Sequence, residues 1–411
     1  MSASTIREYG TAPLAHWTKT ITGSAIRDML ALVTRPNLLS LALGLPAPEL
    51  FPLSDCRAAA AQVLATDPEA LQYHVPSESL KKHIRGLLAL RGVECREDQI
   101  LLTSGAQQAT HLLVNLLLNQ GQEVLFEEVT YEGLHDAIKP LRPRVLTVPT
   151  DPAAGVDIDA IEAHLAGGAR PAFIYSITDG HNPLGLSLSL AARIRLVGLA
   201  RRFRIPIIED AVFGFLSYDG PAAPPMRALD DQWVFYIGSF SKILAPALRV
   251  GWIVVPDAFK GALAFLKHAS DLDITTLSQF TLAAYLDAGH LPDHLASLRA
   301  EYGIRRDSML RALEVHFPRW ARWIKPTSGM SIWVELPGEI DTVELLRVAV
   351  ESEQVAFMPG ATFGFAGARC SRNGMRLNFT HCPPDRIEEG VARLGRVLAK
   401  FSRRPLSAGQ Y

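Results

Sequence analysis

From about residue 56 the chain alternates short β-rich runs with helical stretches, and that alternation narrows the fold more than any other feature. Ile100-Leu-Leu-Thr103, Val124-Leu-Phe126, Val145-Leu-Thr-Val148 and Ala172-Phe-Ile-Tyr-Ser176 read as strands. Ile205-Pro-Ile-Ile208, Val234-Phe-Tyr-Ile237 and Trp252-Ile-Val-Val255 continue the series. Such a pattern implies an α/β fold, a mostly parallel sheet covered by helices on both faces. Near residue 300 the pattern changes. A long helix is expected over Asp293–Val315 with Pro292 just before it, then a half-buried strand over Met330–Glu335 and a last helix over Pro384–Phe401. These read as a smaller α+β domain. The expected organisation is an arm over 1–55, a large domain over 56–300 and a small C-terminal domain over 301–411. Within the arm, Ser24 is a candidate N-cap, and Ile26, Met29, Leu30 and Val33 form one apolar helical face.

Bulk properties exclude several classes. A hydrophobic fraction of 48% and a charged fraction of 20% are those of a globular enzyme-sized chain. A formal net charge of -1 leaves no electrostatic footprint for nucleic acid or an anionic membrane. Cys56, Cys95, Cys370 and Cys382 are scattered without a CxxC pair, so they read as reduced thiols, and no metal site is expected. No signal peptide and no membrane-length apolar run is apparent. The expectation is a soluble, cytoplasmic protein.

Loops that follow parallel strands gather at the carboxyl edge of the sheet, where ligands of such folds bind. Ser104-Gly105-Ala106-Gln107 opens a helix after one strand, and its free backbone amides can hold an anion. The His181-Asn182-Pro183 loop follows another strand, and Asp210 ends the Ile207-Ile-Glu-Asp run. Ser239, Ser241, Lys242 and Arg249 follow Val234–Ile237. Apolar flanks on both sides of Lys242 argue against full exposure, and a partly desolvated amine has a lowered pKa suited to imine chemistry. A lysine to form a Schiff base, a carboxylate to keep a pyridine nitrogen protonated, and hydroxyl and guanidinium groups to hold a phosphate are what pyridoxal 5'-phosphate needs. Each residue also has a plainer reading: a surface lysine, a solvated strand-end acid, a small-residue helix start that binds nothing. The ordered set favours the cofactor.

At these residues the chain resembles the fold-type I pyridoxal-phosphate enzymes of the aspartate-aminotransferase superfamily. Within it the likeness is to the 2-aminoadipate and kynurenine aminotransferase group, over nearly the whole chain. Ser24-Ala-Ile-Arg27-Asp28 and Gly44-Leu-Pro-Ala-Pro-Glu-Leu-Phe-Pro52 look like that group's N-terminal signature, and Thr103-Ser-Gly-Ala-Gln-Gln108 like its phosphate loop. The resemblance implies a homodimer in which Tyr73, in a Gln-Tyr motif, reaches the phosphate of the neighbouring subunit. It implies that Tyr131 stacks on the pyridine ring and that Asn182, in His181-Asn-Pro-Leu-Gly185, bonds the cofactor's 3′ oxygen. Arg376, in Gly374-Met-Arg-Leu-Asn-Phe379, would bind the substrate α-carboxylate, with Asn182 and Gly44 beside it. Arg27 would contact a distal substrate carboxylate and favour an acidic, aminoadipate-like amino acid; its alternative is an exposed helical arginine.

The implied reaction moves an amino group from an L-amino acid to a 2-oxo acid, with Lys242 as general base on the α-carbon and Asp210 sustaining the electron sink. The chain departs from the family pattern at several points. Phe213 stands where a tyrosine usually donates to the cofactor's phenolic oxygen, and Leu43, Leu184, Ala247 and His74 replace usual motif residues. These changes keep open a lyase, a carbon–carbon bond-forming enzyme or an amino-acid oxidase of specialised metabolism. A DNA-binding regulator with an aminotransferase-like domain is disfavoured by the lack of a basic helix-turn-helix pattern.

Overall fold

The computed structural model describes residues 37–401, apart from 152–154, 366–367 and 369–371, together with positions 15, 17, 18, 29, 32 and 35. Arg27, Cys370 and most of the expected Ser24–Val33 helix lie outside the described residues.

The centre is a seven-stranded sheet. Its strands are β1 (Ile100–Thr103), β2 (Glu123–Glu127), β3 (Arg144–Val148), β4 (Ile174–Ile177), β5 (Ile207–Asp210), β6 (Val234–Ser239) and β7 (Gly251–Val254). Their order is β1-β7-β6-β5-β4-β2-β3. β7 runs antiparallel to both of its neighbours and every other pairing is parallel. β1 through β6 therefore all end at one edge, and β7 begins there. The register sharpens this: Ile177, Asp210 and Ile237 stand side by side, and Thr103 and Ser239 flank Gly251.

Every residue of β4, β5, β6 and β7 is buried, so both faces of the sheet must be covered. The period of two distributes neighbours to opposite faces. Phe126, Ile208 and Phe235 pack with Leu112 and Leu113 of the Ala106–Leu117 helix on one side. Leu125, Ile207 and Val234 pack with Leu165 and Leu196, from the Ile158–Ala166 and Leu190–Phe203 helices, on the other. Gly238 lies opposite the fully buried Trp252, where a Cβ would come within 2.2 Å of the indole. A side chain there would displace the ring from the core.

The second part of the structure is a four-stranded antiparallel sheet, β8 (Arg322–Trp323), β9 (Ser331–Glu335), β10 (Met358–Pro359) and β11 (Gly374–Asn378), in the order β8-β9-β11-β10. It packs beneath two helices, Leu291–His316 and Pro384–Phe401, which lie against each other. The first of these starts earlier than the Asp293 expected from sequence and includes Pro292 in its first turn. Proline is at home there, since first-turn amides have no intrahelical partner. β9 was expected to be half-buried, yet only Glu335 escapes full burial. Ile332 and Val334 face the helices, while Trp333 faces a second cluster with Leu43, Leu184 and Phe363. That second cover comes from the N-terminal segment. Leu39–Ser40 pairs in parallel with Val355–Ala356, and Leu41 accepts from the Asn378 amide at 2.8 Å.

Among the described residues no helix is long and apolar enough to cross a membrane, no side-chain cluster could hold a metal ion, and Cys56, Cys95 and Cys382 are free.

A buried ion network holds the loop after β4. Asp179, almost fully buried, accepts from Arg91 at 3.0 Å and from Arg193 at 2.7 Å. Arg193 also donates to the carbonyls of Thr178 and Leu188, on both sides of the loop that carries Asn182. Removing the shared acid strands two buried cations. Asp179→Ala should therefore lower unfolding free energy by roughly 3–5 kcal/mol, read from the urea midpoint. A loss below about 1 kcal/mol, the scale of an exposed ion pair, would show that the network does not anchor the loop.

Candidate active site

A cavity of about 290 Å³ opens at the edge where β1 to β6 end. Lys242 follows β6 and lines it, and its Nζ donates to the Gly44 carbonyl at 2.8 Å. Burial pushes the lysine down to about 8, and the neighbouring Arg376 charge acts in the same direction. A neutral, nucleophilic amine is thus accessible near neutral pH.

Donors for an anion lie beside it. The Ser239 hydroxyl donates to Ser241 Oγ at 3.0 Å and accepts from the Ser241 amide at 3.1 Å. Arg249 holds a left-handed backbone with φ 54° and donates to the Ser104 carbonyl at 2.7 Å. Gly105 caps the Ala106–Leu117 helix with φ 84°, and a Cβ there would lie 2.6 Å from the Arg249 guanidinium. Glycine is therefore required for both conformation and space. Helix-start amides, two hydroxyls and a guanidinium make an anion cradle.

Asp210 ends β5 and is 4% exposed. Its Oδ2 accepts from the Tyr175 hydroxyl at 2.6 Å and its Oδ1 from the Val212 amide at 3.3 Å. Burial raises its proton affinity, against the opposing pull of Tyr175. The Tyr131 hydroxyl donates to Gln107 Oε1 at 2.9 Å, and Gln107 Nε2 donates to the Gly133 carbonyl at 2.8 Å, which holds the aromatic ring in the cavity wall. Phe213 is buried in the same wall and carries no hydrogen-bond donor.

The opposite wall comes from the second sheet. Arg376 lies on β11 between Trp333 and Met358. It donates through Nη1 to Asn182 Oδ1 at 2.7 Å and through Nη2 to the Ala42 carbonyl at 2.8 Å. Its guanidinium sits 4.8 Å from the centroid of the Phe363 ring, and its Nε has no partner. The cavity therefore brings together the Leu43–Leu45 segment, the loops at the edge of the large sheet, and the second sheet through Met330, Ser331 and Arg376.

Not every expected site residue lines it. Ser104 and Gly105 stand behind the cradle and act through Arg249. Tyr73 is 81% exposed and does not line the cavity. Other lining residues are not among the expected site residues: Leu45, Met330, Ser331 and Glu132. Tyr175, behind the wall, escaped as well. The available signals were a tyrosine inside an apolar strand, whose hydroxyl needs a partner, and an acid directly after Tyr131.

An anion cradle, a buried carboxylate, an aromatic wall and an amine of lowered pKa around one cavity fit pyridoxal phosphate. Comparisons with known proteins agree. Residues 38–394 match the family model for aminotransferase class I and II. The aromatic-amino-acid aminotransferase 1 of Thermococcus litoralis is 36% identical over 384 residues, 91% of this chain and 91% of that protein. The 2-aminoadipate transaminase of Thermus thermophilus is 36% identical over 383 residues, 92% of this chain and 94% of that protein. The crystal structure of Pyrococcus horikoshii kynurenine aminotransferase, in complex with PMP, superposes with a TM-score of 0.89 at 32% identity, covering 95% of this chain and 98% of that one. The chain belongs to the class I and II aminotransferases, with their fold-type I architecture and pyridoxal-phosphate cofactor.

Proposed function

We propose that this enzyme transfers the amino group of an L-amino acid to a 2-oxo acid, with Lys242 moving the proton and Arg376 receiving the α-carboxylate. The observation that carries the reading is the placement of Lys242, Asp210 and Arg376 on one cavity built from both sheets. A large domain over 56–300 would carry the cofactor groups and a small domain over 301–411 would bring Arg376. The preference for an acidic side chain expected from Arg27 rests on a residue outside the described ones.

Bound pyridoxal phosphate supplies an electron sink for the electrons of the α-carbon–hydrogen bond. Around it each residue has a task. Ser239, Ser241, Arg249 and the Ala106 and Gln107 amides at the helix start would hold the phosphate. Asp210, kept from water, holds a proton on the ring nitrogen. Tyr131, fixed through Gln107, would stack on the ring. Asn182 spends its Oδ1 on Arg376, so its amide nitrogen is the free donor for the 3′ oxygen. Phe213 adds none. Arg376, with an unpartnered Nε, takes the substrate carboxylate in a charge-assisted pair and sets the α-carbon against Lys242. Lys242 Nζ then accepts the α-proton and returns it, a role suited to an amine whose pKa is about 8.

The working unit we propose is a homodimer. Tyr73 alternates with Leu71 and Val75, which are 76% and 71% exposed, and a second copy would cover these side chains. Tyr73 would then complete the phosphate site of its neighbour.

Lys242→Ala should lower kcat by at least about 100-fold, the scale of a lost general base. It should also abolish borohydride fixation of the cofactor to the protein. A kcat within tenfold of the wild type would exclude the assignment. Attachment of pyridoxal phosphate to the apoprotein requires neutral Lys242. Its rate should rise about tenfold per pH unit below about 8 and level off above it, followed by absorbance; a flat profile between pH 6 and 8 contradicts this. Sedimentation should show a dimer, and Tyr73→Phe should weaken cofactor retention without dissociating it. A fully active monomer would refute the shared site.

A further inference from the structure

Glu132 is the one acid of the cavity wall to which the proposed chemistry gives no task. It is 9% exposed, it lines the same cavity as Lys242 and Arg376, and its Oε2 is buried without a hydrogen-bond partner. A buried carboxylate oxygen left unpaired is costly, which makes it a site awaiting a donor.

Pairing the charges of the loaded site shows which donor is missing. The ionisable residues lining the cavity include three cations, Lys242, Arg249 and Arg376, and two acids, Asp210 and Glu132. In the function proposed above, on which this inference rests, the phosphate takes Arg249, the ring-nitrogen proton takes Asp210, and the substrate α-carboxylate takes Arg376. Lys242 joins the reacting centre. The helix-start amides and the two hydroxyls share the phosphate's second negative charge, and among the described residues Glu132 is the charge of the wall left without a partner. After burial, Glu132 has the largest influence on Arg376 and favours its charged form, so in the absence of substrate it contributes counter-charge to that cation at a distance, without a direct ion pair. Once an α-carboxylate replaces it in that role, a second positive group is needed. Among the described residues the rest of the wall supplies none: Leu43, Leu45, Phe213 and Met330 are apolar, and the Gln107 amide is committed to Gly133 and Tyr131.

We propose that Glu132 is a specificity-determining residue that receives a cationic substrate side chain, an ammonium or a guanidinium, and turns away dicarboxylic amino acids. A guanidinium satisfies the free oxygen and neutralises the acid in one contact. A side-chain carboxylate would instead place a third negative group beside Glu132 and the α-carboxylate, with Arg376 alone to compensate. Burial already raises the proton affinity of Glu132, and an arriving cation stabilises its ionised form.

The test uses ligands without an α-amino group, so that binding is read apart from turnover. Calorimetry on the holoenzyme compares 3-guanidinopropionate, 4-guanidinobutyrate and 5-guanidinopentanoate with succinate, glutarate and adipate. The wild type should bind the best guanidino acid more tightly than the best dicarboxylate. In Glu132→Gln the ratio of the two affinities should fall by about tenfold or more, the scale of one charge-assisted contact, and Glu132→Asp should retain the wild-type order. A ratio unchanged within twofold in Glu132→Gln, or tighter binding of dicarboxylates by the wild type, overturns the proposal and leaves Glu132 as a counter-charge to Arg376 only. Turnover of L-amino acids by the wild type is scored separately, so failure of the transamination reading is distinguishable from failure of this one.

Discussion

Two backbone carbonyls, Ala42 and Gly44, hold the working parts of this enzyme together. Ala42 accepts from Arg376 on the small sheet, and Gly44 accepts from Lys242 beyond β6 of the large sheet. One short segment thus binds both the cation proposed to meet a substrate carboxylate and the amine proposed to meet the α-carbon. It can do so because Leu39–Ser40 is tied to Val355–Ala356 by strand pairing, and because Leu41, Ala42 and Leu43 are buried beside β9 and β11. The spacing of the two reacting groups is therefore set by a third piece of chain that carries no catalytic side chain itself.

The electrostatics follow from this closure. Lys242, Arg376, Asp210 and Glu132 share one enclosed space, and burial shifts each toward its neutral form. For Lys242 that shift is useful, because a neutral amine is the reactive one. For Asp210, Tyr175 opposes the shift by donating a short hydrogen bond to the carboxylate. Phe213 would leave the cofactor's oxygen with fewer donors than a tyrosine would, and Asn182, oriented by Arg376, is the residue proposed for that task. On the proposed assignments, side-chain and α-carboxylate recognition would be coupled, because Glu132 and Arg376 line one cavity and each favours the charged form of the other.

Much of this was legible in the sequence for a physical reason. Strands buried on both faces read as unbroken apolar runs, and the residues after them must fall at the carboxyl edge. Lys242, Asp210, Ser239 and Asn182 were found that way, and the structure gathers them on one cavity. The alternation of β9 misled because it is covered a second time, by the N-terminal segment, a contact between distant parts of the chain. Tyr175 and Glu132 were missed for a related reason. Tyr175 reads as one more strand residue until β4 is set beside β5. Glu132 reads as an ordinary first-turn acid, favourable at any helix start, until Arg376 arrives from the other sheet.

The central claim is that these residues together move an amino group rather than eliminate or oxidise. The most direct measurement adds one L-amino acid to the holoenzyme without a 2-oxo acid acceptor and follows the cofactor, the products and dissolved oxygen. Conversion of the bound cofactor to pyridoxamine phosphate, with one 2-oxo acid formed per site, is the expected result. Ammonia release or oxygen uptake without pyridoxamine phosphate would contradict it.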